Sequence, residues 1–360
     1  MSDPGAPTKV ISDFEASLDR ADQKVASFAK PKVSGVQILR GFLHSNPTAI
    51  PAFVLVLSVL IFGVAAGERF FTTGNLSLIL QQVTVTGIVA IAQTIIILTA
   101  GIDLSVGAIM VLASIVMGKL AVQSGLPEYL AVVIGLIAGG AMGYVNGALV
   151  AYIKLPPFIV TLGTLNIFSA LKLWYSHSES IRNSDIEKIS PNLLWFGESF
   201  HVMGASITYG GVALILLAAL IWYVLNWTAW GRYVHAMGDD PDAAMLAGIQ
   251  TKKTLVSVYV VAGVICAFAA WVLIGRVGSV TPLAGETANL DSITAVVIGG
   301  TSLFGGRGSI VGSVLGAVIV GVFRNGLSLA GVDVLWQDFT VGILIIVAVA
   351  IDQWLRRSSQ

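Results

Sequence analysis

The chain has 360 residues, of which 56% are hydrophobic and only 11% charged, and its formal net charge is zero. A soluble domain carries about 25% charged residues, so this composition excludes an ordinary soluble enzyme or binding module and requires a polytopic membrane protein. Zero net charge leaves no electrostatic case for nucleic acid, and a single cysteine, Cys266, excludes a disulfide within the chain.

Residues 1–45 read as a polar cytoplasmic tail and 46–360 as a transmembrane domain. In the tail, Ile11, Phe14, Leu18, Ala21, Val25 and Phe28 form one apolar stripe, the spacing of an amphipathic helix. Such a stripe suits a membrane surface or a partner, and equally a frayed tail with no role. Residues 36–43 read as a second interfacial helix. The first long apolar run starts near Ile50, too far in for a cleaved signal peptide.

About ten crossings follow, each of about 17–25 residues where full length. They are predicted near 50–66, 77–99, 103–121, 129–151, 158–174, 206–226, 254–275, 292–304, 309–331 and 334–354. An even number puts both termini on one side. With that side inside, thirteen of the 20 basic residues fall in inner segments, among them Lys154, Arg232, Lys252, Lys253 and Arg307. The opposite loop, 176–205, is acidic through Glu179, Asp185, Glu187 and Glu198. The positive-inside rule therefore predicts cytoplasmic termini and a cytoplasmic 228–253 loop.

Two stretches break the pattern. Residues 83–122 are long enough for two crossings but leave no room for a polar loop, so the chain must turn sharply at Gly101, at or inside the membrane boundary. Residues 291–306, DSITAVVIGGTSLFGG, are too short for a full span and carry Gly299-Gly300 and Gly305-Gly306. Broken helices survive at membrane depth only where protein or a water-filled cavity surrounds them, and they point to transport sites.

Glycines recur every four residues at Gly135, Gly139, Gly143 and Gly147, and again at Gly308, Gly312 and Gly316. Such faces let helix backbones approach closely. They also suggest a repeat: Asp103-Leu104-Ser105 precedes the first ladder and Asp291-Ser292 the second, and Asn146-Gly147 corresponds to Asn325-Gly326. The shift covers five crossings, and an odd shift inverts the second copy.

The loop 228–253 is the long polar insertion of the membrane domain. Asp239-Asp240-Pro241 is a helix start and Gly248 a stop. An ordinary ordered loop fits the composition. A docking helix for a partner that drives the membrane part fits it as well.

No GxxxxGK[ST] phosphate loop and no GxSxG elbow occurs, and His44, His177, His201 and His235 lack metal-ligand spacing. No catalytic residue and no metal site is predicted. Ionisable residues within or bordering spans are few: Asp103, Lys172, Asp291, Arg324 and Asp352. Asp103 suits a helix cap beside Ser105, or a substrate contact; Asp291 is similar. Arg324 sits inside a span and is the hardest of the five to assign to a span end. The spans otherwise carry neutral polar groups: Gln81, Gln82, Thr84, Thr86, Gln93, Asn146, Thr161, Thr164, Asn166, Thr294, Thr301 and Ser302. These suit a path for an uncharged, hydroxyl-rich solute, or bonds between helices.

GIDLSVGA (101–108), LPPFIVTLGT (155–164), GRYVHAMGDDPDAAMLAGI (231–249) and LDSITAVVIGGTSLFGGRGSIVG (290–312) stand in this order. Together they resemble the permease subunits of bacterial ABC importers for monosaccharides of the ribose, xylose and fructose kind, and most closely the rhizobial fructose branch. The resemblance runs from about residue 45 to the end. It implies an all-α fold of about ten transmembrane helices in two inverted halves, in the inner membrane. It implies a homodimer with a second permease copy, a cytoplasmic ABC ATPase that binds the ATP, and a periplasmic sugar-binding protein. It maps ATPase coupling onto Gly231, Arg232, Gly238, Asp240, Ala243, Ala244, Gly248 and Ile249, with Asp240 departing from the family's common Asn. The translocation path is expected to involve Asp103, Ser105, Asn146, Thr161, Asn166, Asp291, Thr294, Thr301 and Ser302. Alternatives are a permease for another small solute, such as branched-chain amino acids, and an ion-coupled secondary carrier.

Overall fold

The structure is a computed structural model that describes residues 48–202, 204–285 and 287–357, with backbone alone for 345, 348 and 351–357. The N-terminal stripe from Ile11 and the 36–43 segment lie outside the described residues.

The described chain is almost wholly helical. α1 (Ala49–Ala66) leads into α2 (Thr73–Leu98), α3 (Val106–Gly118, continued by a π-helical turn to Gln123), α4 (Glu128–Ala151) and α5 (Pro157–Ser176). The expected loop 176–205 contains more structure than the sequence suggests. It holds the short helix α6 (Asn183–Ile189), a 3₁₀ segment, and strand β1 (Ser199–Val202) paired antiparallel with β2 (Ala205–Thr208). Then come α7 (Tyr209–Trp227), the short helices α8 (Ala229–Asp239) and α9 (Pro241–Leu246), and α10 (Thr251–Val277). The chain ends with α11 (Ala288–Ile298), α12 (Ile310–Leu329) and α13 (Val334–Arg357).

Helix starts follow the side chains available. Thr72, Thr208, Thr228 and Ser309 each accept a hydrogen bond from the backbone three residues on, and Pro157 opens α5 at a position where no N–H is needed. Among the described residues, eight helices are long and apolar enough to cross a membrane. α13 has 24 residues. α11 has only 11 residues, about 16 Å against a hydrocarbon core of about 30 Å.

α11 also corrects the sequence reading. It begins at Ala288, ahead of the predicted 292–304 span, and ends before Gly299. Gly300 then takes φ +82°, a backbone conformation that L side chains resist, and this stops the helix. Residues 279–285 lie outside any helix, beside α3: Val280 pairs with Ile181 and packs at Gly118, and Gly285 packs on Met110. This crossing is therefore part non-helical chain, largely turns, and part helix. The third crossing is its counterpart, since non-helical residues 99–105 precede the helical part, α3. The two half-helices meet at their N-terminal ends, where Asn289 Oδ1 accepts from Gly107 N at 2.6 Å.

The halves interlock. α4 packs along α10, and α12 along α2 and α11. Three glycines of the first ladder make the α4–α10 contact, while Gly135 packs on Met117 of α3: a Cβ on Gly143 would run into the Tyr259 carbonyl, and one on Gly139 into Gly263. The second ladder lies against α11, with Gly312 facing Gly299 and Gly316 facing Ala295. Both ladders are close-packing surfaces.

The bundle has two distinct ends. At one, α8 meets the end of α2 and the 299–309 loop, with Gly306 N donating to Leu98 O at 3.0 Å. At the other end, called the far end below, lie α6, the β hairpin and the Ile181–Val280 bridge. There Ser206 N donates to Ser77 Oγ, near the start of α2, at 2.9 Å.

Candidate functional site

Unwound backbone inside a membrane protein needs hydrogen-bond partners from side chains. Around residues 99–105 the neutral polar residues supply them. Gln93, its amide oriented to satisfy both contacts, donates to Asp103 O at 3.1 Å and accepts from Asp103 N at 3.3 Å. Thr161 Oγ1 donates to Ile102 O at 3.1 Å. Asp103 Oδ1 accepts from Ser105 N and Ser105 Oγ, both at 2.6 Å, and Asn146 Nδ2 reaches Asp103 Oδ2 at 3.3 Å and Ser105 Oγ at 2.8 Å. Asp103, Ser105, Asn146 and Thr161 are thus brought into one buried cluster that holds the broken crossing in shape.

The remaining sequence-predicted path residues lie elsewhere. Thr294 Oγ1 bonds back to Leu290 O within α11. Thr301 faces Ser313 at 3.4 Å, and Ser302 organises the 299–309 turn by accepting from Phe304 N. Asn166 is exposed on α5 and donates to Leu162 O. Asp291 differs from all of these, because it lines a cavity.

That cavity, of about 610 Å³, lies in the far-end half of the bundle. Its walls are the first half of α2, the last turns of α10, residues 281, 283–285, 287 and 288, the start of α11 and the second half of α12. Asn75, Gln82, Thr86, Arg276, Thr287, Asp291, Arg324, Asn325, Ser328 and Gln337 contribute polar groups, and Met110, Val83 and Ala317 apolar ones. Arg324 Nη2 donates to Asp291 Oδ1 at 2.7 Å and Nη1 to Asp338 Oδ1 at 3.1 Å. Thr287 Oγ1 donates to the other oxygen of Asp291 at 3.0 Å. Asn325 Nδ2 donates to Asn75 Oδ1 at 2.8 Å. Arg324 and Asp291 are committed to each other, Arg276 donates to the Gln82 carbonyl at 3.4 Å, and the other polar groups of the lining are neutral, a set that suits a hydrogen-bonding solute.

The sequence singles out Asp291, Arg324, Gln82 and Thr86 as intramembrane polar groups but not as neighbours. It misses Arg276, whose signal is a cation in the last turn of a long apolar helix.

The coupling residues form a second site at the α8–α9 end. Asp240 caps α9 with its carboxylate, accepting from Asp242 N and Ala243 N, each at 3.0 Å. Gly248 ends the turn at φ +86°. Gly231 packs against the Leu225 carbonyl, and Gly238 against the Leu98 carbonyl and Gly306 N; a Cβ at either would overlap backbone. α8 is thereby keyed to both broken crossings. Arg232 and Ala243 are exposed, and Ile249 is half-buried. Ala244 is only 4% exposed, whereas Met245 and Leu246 are 56% and 87% exposed. Among the described residues no group of three or more His, Cys, Asp or Glu side chains could hold a metal.

Residues 75–349 match the family described as "Branched-chain amino acid transport system / permease component". The chain is 54% identical over 99% of both lengths to the fructose import permease protein FrcC of Rhizobium meliloti. It is 38% identical to the ribose import permease protein RbsC of Bacillus subtilis, over 84% of this chain and 90% of the relative. It is 36% identical to the D-allose transport system permease protein AlsC of Escherichia coli, over 85% and 91%. No solved structure gives a significant match.

Proposed function

This chain belongs to the permease-component family of branched-chain amino acid transport systems, and from that premise we propose that it forms the membrane passage of an ATP-driven importer for a monosaccharide. The observation that carries the solute class is the 54% identity, over nearly the whole chain, to a fructose import permease. The far-end cavity supports it, because Arg324 is paired with Asp291 and Asp338 and most of the other polar groups are neutral donors and acceptors, Arg276 being the exception.

In this reading the protein is a multi-pass component of the bacterial inner membrane, with the termini and the α8–α9 end cytoplasmic. It works as a pair of identical permeases. No covalent chemistry occurs in this chain; an ABC ATPase binds the ATP and grips α9, and a periplasmic binding protein delivers the sugar to the far end. ATPase closure pushes α8, whose Gly238 abuts the Leu98 carbonyl and Gly306. That displacement reaches 99–105 and α11 together, the two non-uniform crossings. Each partner shifts the equilibrium between outward- and inward-open forms only by binding one form more tightly.

The test is uptake of radiolabelled fructose, ribose and allose by cells making this permease with its ATPase and binding protein, against cells lacking the permease alone. Permease-dependent, ATP-dependent uptake of a sugar is expected. Uptake that persists without the ATPase and follows an ion gradient would identify a secondary carrier instead.

A further inference from the structure

We propose that the far-end cavity is itself a sugar-binding site within each protomer, at which Gln82, Asn325 and the Asp291–Arg324 pair hold monosaccharide hydroxyls. This rests on the importer reading above and extends it by naming the groups that bind the solute inside the membrane domain.

The strongest observation is an unused acceptor. Asn325 is 4% exposed and lines the cavity; its Nδ2 is committed to Asn75, but its Oδ1 has no partner. A buried polar atom without a partner costs free energy unless a ligand or water satisfies it. The residue beside it supplies the complementary group. Arg324 spends Nη1 and Nη2 on Asp338 and Asp291, while its buried Nε makes no hydrogen bond. Gln82 stands across the space on α2. Its backbone carbonyl accepts from Arg276 at 3.4 Å, while its side-chain amide lines the cavity and has no hydrogen bond among the described residues.

Asn325 and Arg324, each with one buried polar atom unpartnered just behind the wall, and Gln82 therefore line one space of about 610 Å³, within the roughly 300–1,000 Å³ typical of small-molecule sites. A sugar hydroxyl both donates and accepts, so one ring bearing several of them can satisfy all three groups. The Asp291–Arg324 pair is neutralised internally, and Arg276, a further cation on the wall, donates to the Gln82 carbonyl. The floor explains why occupancy is coupled to transport. It includes Asp291 in the first turn of α11, and the loop that follows α11 touches α8 through Gly306 and Gly238. Motion of α8 therefore reaches the sugar contacts along a helix of 11 residues.

The test uses the complete importer in cells, with radiolabelled fructose as probe. Gln82→Leu and Asn325→Leu should each lower the initial uptake rate at least tenfold. The half-saturating concentration should stay unchanged, because capture belongs to the binding protein, and membrane abundance should be retained. Since Asn325 also bonds Asn75, a folding-independent measurement is needed beside it. Ser328→Cys, at the cavity edge, should lose at least tenfold of its uptake after treatment with a bulky membrane-impermeant maleimide, and excess fructose should slow the labelling. The unmodified chain, whose one cysteine is buried, should be unaffected. Normal uptake by Gln82→Leu together with normal uptake by maleimide-treated Ser328→Cys would overturn the site. Failure of the unmodified importer to take up any of the three sugars would instead overturn the functional reading beneath it.

Discussion

Asp103 is a carboxylate that is 2% exposed, and three donors from Ser105 and Asn146 hold it. The sequence allows two roles for it, a turn-forming residue or a solute contact; the hydrogen bonds assign its oxygens to the chain. Asp103→Ala would strand those donors in the interior, at about 1–3 kcal/mol for each unsatisfied group. The unfolding temperature of the detergent-solubilised protein should fall clearly for Asp103→Ala. It should fall less for Asp103→Asn, which keeps one acceptor for the Ser105 donors. An unchanged unfolding temperature with uptake abolished would contradict the structural role. Arg324 shows the complementary case. An arginine inside a span is visible from sequence, but its partners come from α11 and α13, so nothing local announces the pairing.

At the scale of an element, α9 separates what a local motif carries from what burial adds. The Asp–Pro start and the Gly248 stop mark the helix, and Asp240 caps it as an acid can. The motif does not say which face is free. The sequence suggests that Ala243 and Ala244 are both offered to a partner, yet Ala244 is packed within the protomer. A bulky residue at 244 would therefore dislodge α9 from its own subunit before it overfilled a partner's cleft. Leu246, 87% exposed, is the better probe. Losing its burial in a complex removes about 1.5–3 kcal/mol, so Leu246→Glu should weaken ATPase association by about 10–150-fold. The permease's own unfolding temperature should stay within error. Pull-down of the ATPase with solubilised permease reads this directly, and unchanged recovery would sink the assignment of α9 as the gripping element. Gly238→Val tests the next link. Its side chain would overlap the Leu98 carbonyl, so ATPase association should persist while sugar-stimulated ATP hydrolysis is lost.

For the whole molecule, the packing of α4 with α10 and of α12 with α2 interlocks the first half of the chain with the second. Each half contributes one crossing that is part non-helical chain and part helix, and these meet at Gly107 and Asn289. The charge asymmetry makes a topological prediction. Reporters fused after Ser190 should register the periplasm and those after Asp242 the cytoplasm. Both on one side, or the reverse, would refute the arrangement with cytoplasmic termini. The repeated Asp–Ser and Asn–Gly pairs carry the half-chain symmetry in the sequence, although the partners differ. Asn146 serves Asp103 and Ser105, whereas Asn325, on the cavity wall, bonds Asn75 and leaves its own Oδ1 unpartnered.

Composition and apolar run length alone determine that this is a helical membrane protein, because a chain in lipid must satisfy its backbone internally and needs a minimum length to cross. The glycine spacing, the broken crossings and the α8–α9 loop are equally legible, since each is a pattern within a few turns of chain. The cavity is not. Asn75 and Asn325 are 250 residues apart in sequence, and Arg324 meets Asp291 across 33. Only the packing of α2, α10, α11 and α12 decides which polar residues face a shared space and which, like Gln93 and Thr161, are consumed in supporting unwound backbone. The physical reason is that hydrogen bonds and burial depend on distance in space, and no local periodicity encodes which distant helix a side chain will meet.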